Sequence, residues 1–170
     1  VLDRARYIQA QNDLRDALNE ARILAARRDY DAAAEAYEAY FEQAGKRLKK
    51  DVVEYAIMLS SAERYTEAVA VLRSVVEEQF DYDVAKEMGR IQSYQKDYSG
   101  AIATIDQLLQ INPRDYELVF LKAQSLRALG YYTEARVLYG DALVVAEDSE
   151  AIEERIIGID ADVRFELVQS

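Results

Sequence analysis

Small and large apolar side chains recur along this chain at a fixed interval, set among polar positions. Four stretches carry the pattern: RRDYDAAAEAY at 27–37, AERYTEAVAVL at 62–72, QKDYSGAIATI at 95–105 and LGYYTEARVLY at 129–139. Each places a tyrosine (Tyr30, Tyr65, Tyr98, Tyr132) three residues before an alanine (Ala33, Ala68, Ala101, Ala135), and those alanines are 35, 33 and 34 residues apart. Twelve residues before each alanine stands another small residue: Ala21, Ala56, Gly89 or Ala123. Four and seven residues after it stand Tyr37 and Tyr40, Leu72 and Val75, Ile105 and Leu108, Tyr139 and Ala142. Spacings of four and seven fall on one helical face, so each unit predicts two helices, A and B, joined near the tyrosine.

Steric reasoning explains the pattern. A small side chain on each helix lets the two backbones approach where they cross, and larger residues at neighbouring turns fill the flanking holes. The tyrosine ring is expected to cover the A-to-B turn. One hairpin cannot bury its apolar face alone, so stability must come from stacking neighbours. The expected helices are 14–27 and 31–44, 48–62 and 65–79, 82–95 and 98–110, 115–129 and 132–146. They group into repeats of about 14–48, 49–81, 82–115 and 116–147. Residues 1–13 read as the end of a preceding helix or an N-terminal extension, with Asn12 or Asp13 capping the next helix. Residues 148–170 place Ile152, Ile156, Ile159 and Val163 on one stripe and read as a C-terminal capping helix or the start of a fifth repeat.

Composition supports an all-α fold. One proline (Pro113) and six glycines interrupt 170 residues rich in good helix formers, and half of the chain is apolar, enough for a real core. The formal charge is −11, and the acidic excess lies after residue 50. Ten Lys/Arg face nine Asp/Glu in 1–50, five face ten in 51–100, and six face thirteen in 101–170. This balance argues against a general nucleic-acid binder and against docking on anionic lipid. No apolar run approaches the length of a membrane span. A chain that starts at Val1 reads as an excerpt or a processed form.

Cysteine and histidine are both absent. Disulfides, thiolate nucleophiles, the usual zinc ligands and His-based triads are therefore out of reach, and no metal or cofactor is expected. The carboxylate pairs Asp81 with Asp83, Glu153 with Glu154, and Asp160 with Asp162 lack the glycine-centred calcium loop and read as solvated helix surface. Ser93-Tyr94-Gln95-Lys96 matches a short S-x-x-K string without its companion motifs, and no glycine-rich phosphate loop is present. Lys46-Arg47-Leu48-Lys49-Lys50 is the one dense basic run, read as a charged turn between repeats or a docking patch for an acidic partner. The expectation is a protein that is not an enzyme.

The period and the small, aromatic and alanine pattern resemble the tetratricopeptide repeat family over about residues 14–147. The tryptophan often found early in helix A is replaced by Ala17, Val52, Ala85 and Val119, and the proline between repeats survives only as Pro113. The resemblance implies a right-handed α-solenoid whose A helices line a concave groove that binds a partner. Carried over, that groove comprises Arg15, Leu18 and Arg22; Lys50, Val53, Ile57 and Ser61; Asp83, Lys86, Arg90 and Tyr94; and Glu117, Phe120, Gln124 and Arg127. Six of these fifteen are basic and two acidic, implying a locally positive groove suited to another protein or to an extended acidic or polar chain. Lys86 and Arg90 match the spacing of one pair in the carboxylate clamp of co-chaperone repeats, but Glu54 stands where that clamp needs an asparagine. The phrases EYAIMLSSAERYTEAVAVL and INPRDYELVFLKAQSLRALGYYTEA resemble the periplasmic repeats of bacterial exopolysaccharide export proteins. That likeness implies a periplasmic role in secretion, with direct binding of the polysaccharide as an alternative.

Overall fold

A computed structural model describes residues 2–143, and those residues form eight helices with no strand among them. The helices are α1 (Leu2–Ala26), α2 (Tyr30–Ala44), α3 (Lys49–Ser61), α4 (Tyr65–Glu78), α5 (Tyr82–Tyr94), α6 (Tyr98–Ile111), α7 (Tyr116–Ala128) and α8 (Tyr132–Leu143). Odd-numbered helices are the expected A helices and even-numbered ones the B helices. Most boundaries fall within a residue or two of the expectation. The exception is α1, which runs unbroken through Asn12 and Asp13, so neither caps a helix. Nothing in LDRARYIQAQNDL stops a helix: it holds no glycine or proline, and Gln9 Nε2 donates to Asp13 one turn later. The C-terminal stripe from Ile152 to Val163 lies outside the described residues.

The small positions behave as the steric argument requires. Ala21, Ala33, Ala56, Ala68, Ala101, Ala123 and Ala135 are all completely buried. Gly89 shows how tight the α5–α6 crossing is: a Cβ built on it would sit 3.4 Å from Thr104 Cγ2 and 3.6 Å from Ile105 Cγ1. A methyl fits there at ordinary contact distance, with Thr104 and Ile105 bounding the space beyond it.

Each of the four A-to-B turns among the described residues uses one device that composition concealed. Arg28, Glu63, Lys96 and Gly130, each five residues before its alanine, adopt left-handed backbone with φ of 62°, 60°, 65° and 85°. In each turn the next amide reaches back five residues: Asp29 to Leu24 O, Arg64 to Leu59 O, Asp97 to Gln92 O and Tyr131 to Leu126 O, at 2.9–3.1 Å. This is the Schellman closure of a helix C-terminus, which glycine favours and which three non-glycine residues carry here at a cost. Lys96, the last letter of the S-x-x-K string, is one of these turn residues. The half-buried Tyr30, Tyr65, Tyr98 and Tyr132 each begin the B helix just after the turn.

The chain divides at Val75 and Val76, within α4, into two compact units. In the first, α2 meets α3 through rings: Tyr37 stacks on Tyr55 at 5.1 Å, Phe41 lies 5.8 Å from Tyr55, and Tyr40 lies 5.2 Å from Phe41. The core of the second is mainly aliphatic, built from Ala85, Ala101, Ile105, Leu108 and Leu118 with Val76, Tyr82, Leu109 and Leu121 against them. A further cluster joins Ala123, Ala135 and Tyr139, with Phe120 packed edge-on to Tyr139 at 5.3 Å.

Candidate functional site

In the first unit, Arg22 on α1 reaches Glu54 on α3. Its Nε and Nη2 donate to the two carboxylate oxygens at 2.6 and 2.7 Å. Tyr37 donates its hydroxyl to the same Glu54 at 2.7 Å, and Tyr40 donates to the buried Asp51 at 2.6 Å. Hydrogen bonding from Arg22 holds the Glu54 carboxyl below its ordinary pKa, assisted by Tyr37 and by the charge of Lys50 one turn away. Burial, reinforced by the bond to Asp51, pushes the Tyr40 phenol up to about 12.

Beside this network opens a cavity of about 320 Å³, lined by Arg22, Ala25, Tyr30, Tyr37, Glu54, Ile57, Met58 and Ser61. Three of the sequence-derived groove residues, Arg22, Ile57 and Ser61, thus meet at one place. Ile57 keeps 46% of its surface exposed there. Arg15 lies exposed nearer the start of α1, 3.8 Å from Asp16, and Lys50 is exposed at the start of α3. A second cavity of about 560 Å³ is acidic, lined by Asp31, Ala34, Glu35, Glu38, Tyr55, Arg64 and Glu67.

In the second unit, Lys86 on α5 is half-buried and bonded to both oxygens of Asp115, at 2.9 and 3.1 Å, and to Glu117 at 2.8 Å. Arg90 pairs with Glu87 at 2.8 Å and with Glu117. Asp115 caps α7 by accepting from the Leu118 amide at 3.3 Å, and it also accepts from the Tyr82 hydroxyl at 2.9 Å. Burial opposes the charge on Asp115, but the bonds from Lys86, Tyr82 and Leu118 hold its carboxyl below the ordinary range. Hydrogen bonding from Lys86 does the same for Glu117. Lys86 meets the same contest: burial works against its charge, and its carboxylate partners more than offset it.

These contacts change the reading of the cations. Arg22, Lys86 and Arg90 had been expected to give their face a positive field, yet each is held by carboxylates of this chain. These pairs bridge one A helix to the next, α1 to α3 and α5 to the start of α7. Phe120, expected to offer apolar contact to a partner, is half-buried and turned edge-on to Tyr139. Gln124 and Arg127 are half-buried on α7, while Tyr94 is 58% exposed at the end of α5. In the basic run, Arg47 bonds Glu38 at 2.6 Å and lies 4.8 Å over the Phe41 ring, as a structural turn residue would. Sequence reasoning missed Glu54, Asp115 and Glu117 as partners of those cations. The available signal was an opposite charge at or just before the next A helix, 32 residues on for Arg22 and 27–31 on for Arg90 and Lys86.

Among the described residues no group of three or more acidic side chains is placed to hold a metal ion, and no helix is long and apolar enough to cross a membrane.

Comparison with known proteins agrees with this architecture. Residues 86–152 match the family model described as tetratricopeptide repeat. The fold is shared with MamA, residues 41 to the end, from Desulfovibrio magneticus RS-1: TM-score 0.74 at 12% identity, over 89% of this chain and 85% of that one. A tetratricopeptide repeat protein from Parabacteroides merdae gives 0.68 at 15% identity, over 86% of this chain and 61% of its own. MamA of strain MSR-1 gives 0.68 at 14% identity, over 89% and 87%. No curated protein matches the sequence.

Proposed function

The chain is an all-α array of tetratricopeptide-type hairpins, and from that premise we propose that it is a non-catalytic scaffold binding another protein through the faces of its A helices. The observation that carries this reading is the exposure of large apolar side chains, Ile57 and Tyr94, on A helices whose neighbouring cations are already paired. Exposed apolar groups beside neutralised charges suit a polypeptide surface better than a polyanion, which would have to displace Glu54, Asp115 and Glu117. The same pairing weighs against a direct polysaccharide contact and against a co-chaperone clamp at Lys86 and Arg90.

The test is photo-crosslinking in cells that make the full protein. A photoreactive residue at Ile57, Tyr94 or Gln124 is expected to give discrete protein adducts, and one at Arg73 or Val137 on the B helices is not. Adducts from the B-helix positions alone would overturn the proposal. For the setting we propose the bacterial exopolysaccharide export apparatus, supported by the sequence likeness of residues 54–72 and 111–135 to such proteins. The parent sequence tests it. A signal peptide, further repeats and a run of alternating strands are expected, whereas an intracellular catalytic domain would contradict it.

A further inference from the structure

We infer that the cavity beside Arg22 and Ile57 is an anchor pocket for one uncharged, large apolar side chain of an extended partner segment. The inference rests on the scaffold reading and specifies one subsite of it. Its volume of about 320 Å³ is at the small end for a ligand site, room for a single bulky side chain and the main chain beside it. Ala25, Ile57, Met58 and the Tyr30 ring supply an apolar wall. The polar side is largely satisfied within the chain: Glu54 accepts two bonds from Arg22 and one from Tyr37, and the charges of Arg22 and of Lys50 one turn away offset its own, so the pocket has little net charge to draw a cationic guest.

Arg22 spends Nε and Nη2 on Glu54, and its 4.0 Å approach to Asp51 also runs through Nη2. Nη1 therefore remains to donate to a neutral acceptor, and the main-chain carbonyl of an extended segment is such a group. A carboxylate guest would compete with Glu54 for the same guanidinium and suffer repulsion from it. Charge thus selects a neutral apolar side chain flanked by its own backbone.

The probes are capped pentapeptides of glycine and serine with a central leucine, phenylalanine, aspartate or lysine, titrated into the isotope-labelled protein and followed by NMR. The leucine and phenylalanine peptides are expected to shift the methyl signals of Ala25, Ile57 and Met58, and the aspartate and lysine peptides to leave them in place. Ile57→Glu should weaken the leucine peptide by about fivefold or more, as for loss of a central apolar contact. Ile57 is exposed, and the same spectra report whether the variant keeps its fold. No response, a response that ignores the central residue, or shifts confined to other helices would overturn the pocket. So would methyl shifts that follow protein concentration without peptide, which would make a second copy the occupant. Cross-links from Tyr94 that persist after such a result would leave the scaffold reading standing, and their loss would remove both.

Discussion

The two units solve one packing problem with opposite chemistry. In the repeat register, Tyr37, Tyr40, Asp51 and Glu54 at the α2–α3 junction correspond to Ile105, Leu108, Leu118 and Leu121 at the α6–α7 junction. The first set forms two hydrogen-bonded pairs, Tyr37 with Glu54 and Tyr40 with Asp51. The second set packs as one aliphatic cluster. Both members of a pair are polar or both are apolar, as expected where a lone buried carboxylate is costly and a matched apolar pair is not. The ties between A helices follow the same logic in another place, with Arg22 and Glu54 in one unit and Lys86 with Asp115 and Glu117 in the other.

Breaking one member of a polar pair should have the largest effect. Tyr40→Leu takes the hydroxyl bond from Asp51, which is only 5% exposed and keeps only the 4.0 Å approach of Arg22, and is expected to cost about 2–3 kcal/mol in urea unfolding. The corresponding Leu108→Tyr should also destabilise, by about 2 kcal/mol, because it overfills an aliphatic site and brings a hydroxyl with no carboxylate opposite.

Next in size is the hairpin crossing. Gly89→Leu is expected to cost about 2 kcal/mol from its clash with Thr104 and Ile105, while Gly89→Ala should be neutral or gain up to about 1 kcal/mol from helix propensity. Equal losses for the two would contradict the close-approach account.

The turns come third. Gly130→Ala should lose about 1 kcal/mol, because alanine must enter left-handed backbone there, and Lys96→Gly should gain a fraction of that at the equivalent turn. The smallest effect is on pH dependence. Glu54, Asp115 and Glu117 all have folded pKa values below the ordinary one, so their stabilisation is present at neutral pH and is lost as pH falls below about 4. A melting temperature that falls on acidification less steeply in Glu54→Gln than in the parent protein would show this.

The sequence revealed the fold through packing, because small residues at crossings obey a spacing that survives loss of the family's tryptophan and prolines. It was less informative about the turns, since three of four left-handed positions are filled by Arg28, Glu63 and Lys96, and no glycine marks them. On the A-helix face, charge was the property hardest to read. Arg22, Lys86 and Arg90 stand out as cations in a linear reading, whereas their carboxylate partners lie about a repeat away and look like ordinary surface acids until the helices stack. Phe120 shows a related limit: position on a helix face does not reveal that Tyr139 from α8 reaches its ring.

The interchangeability of the two junctions is tested most directly by a double-mutant cycle on Tyr40 and Asp51, with unfolding free energies for Tyr40→Leu, Asp51→Leu and the pair together. If the polar and aliphatic junctions are alternative solutions to one packing problem, each single change should cost about 2–3 kcal/mol and the double should cost less than either. Losses that simply add would show that the hydrogen bond and its aliphatic counterpart are not equivalent, and would contradict the account.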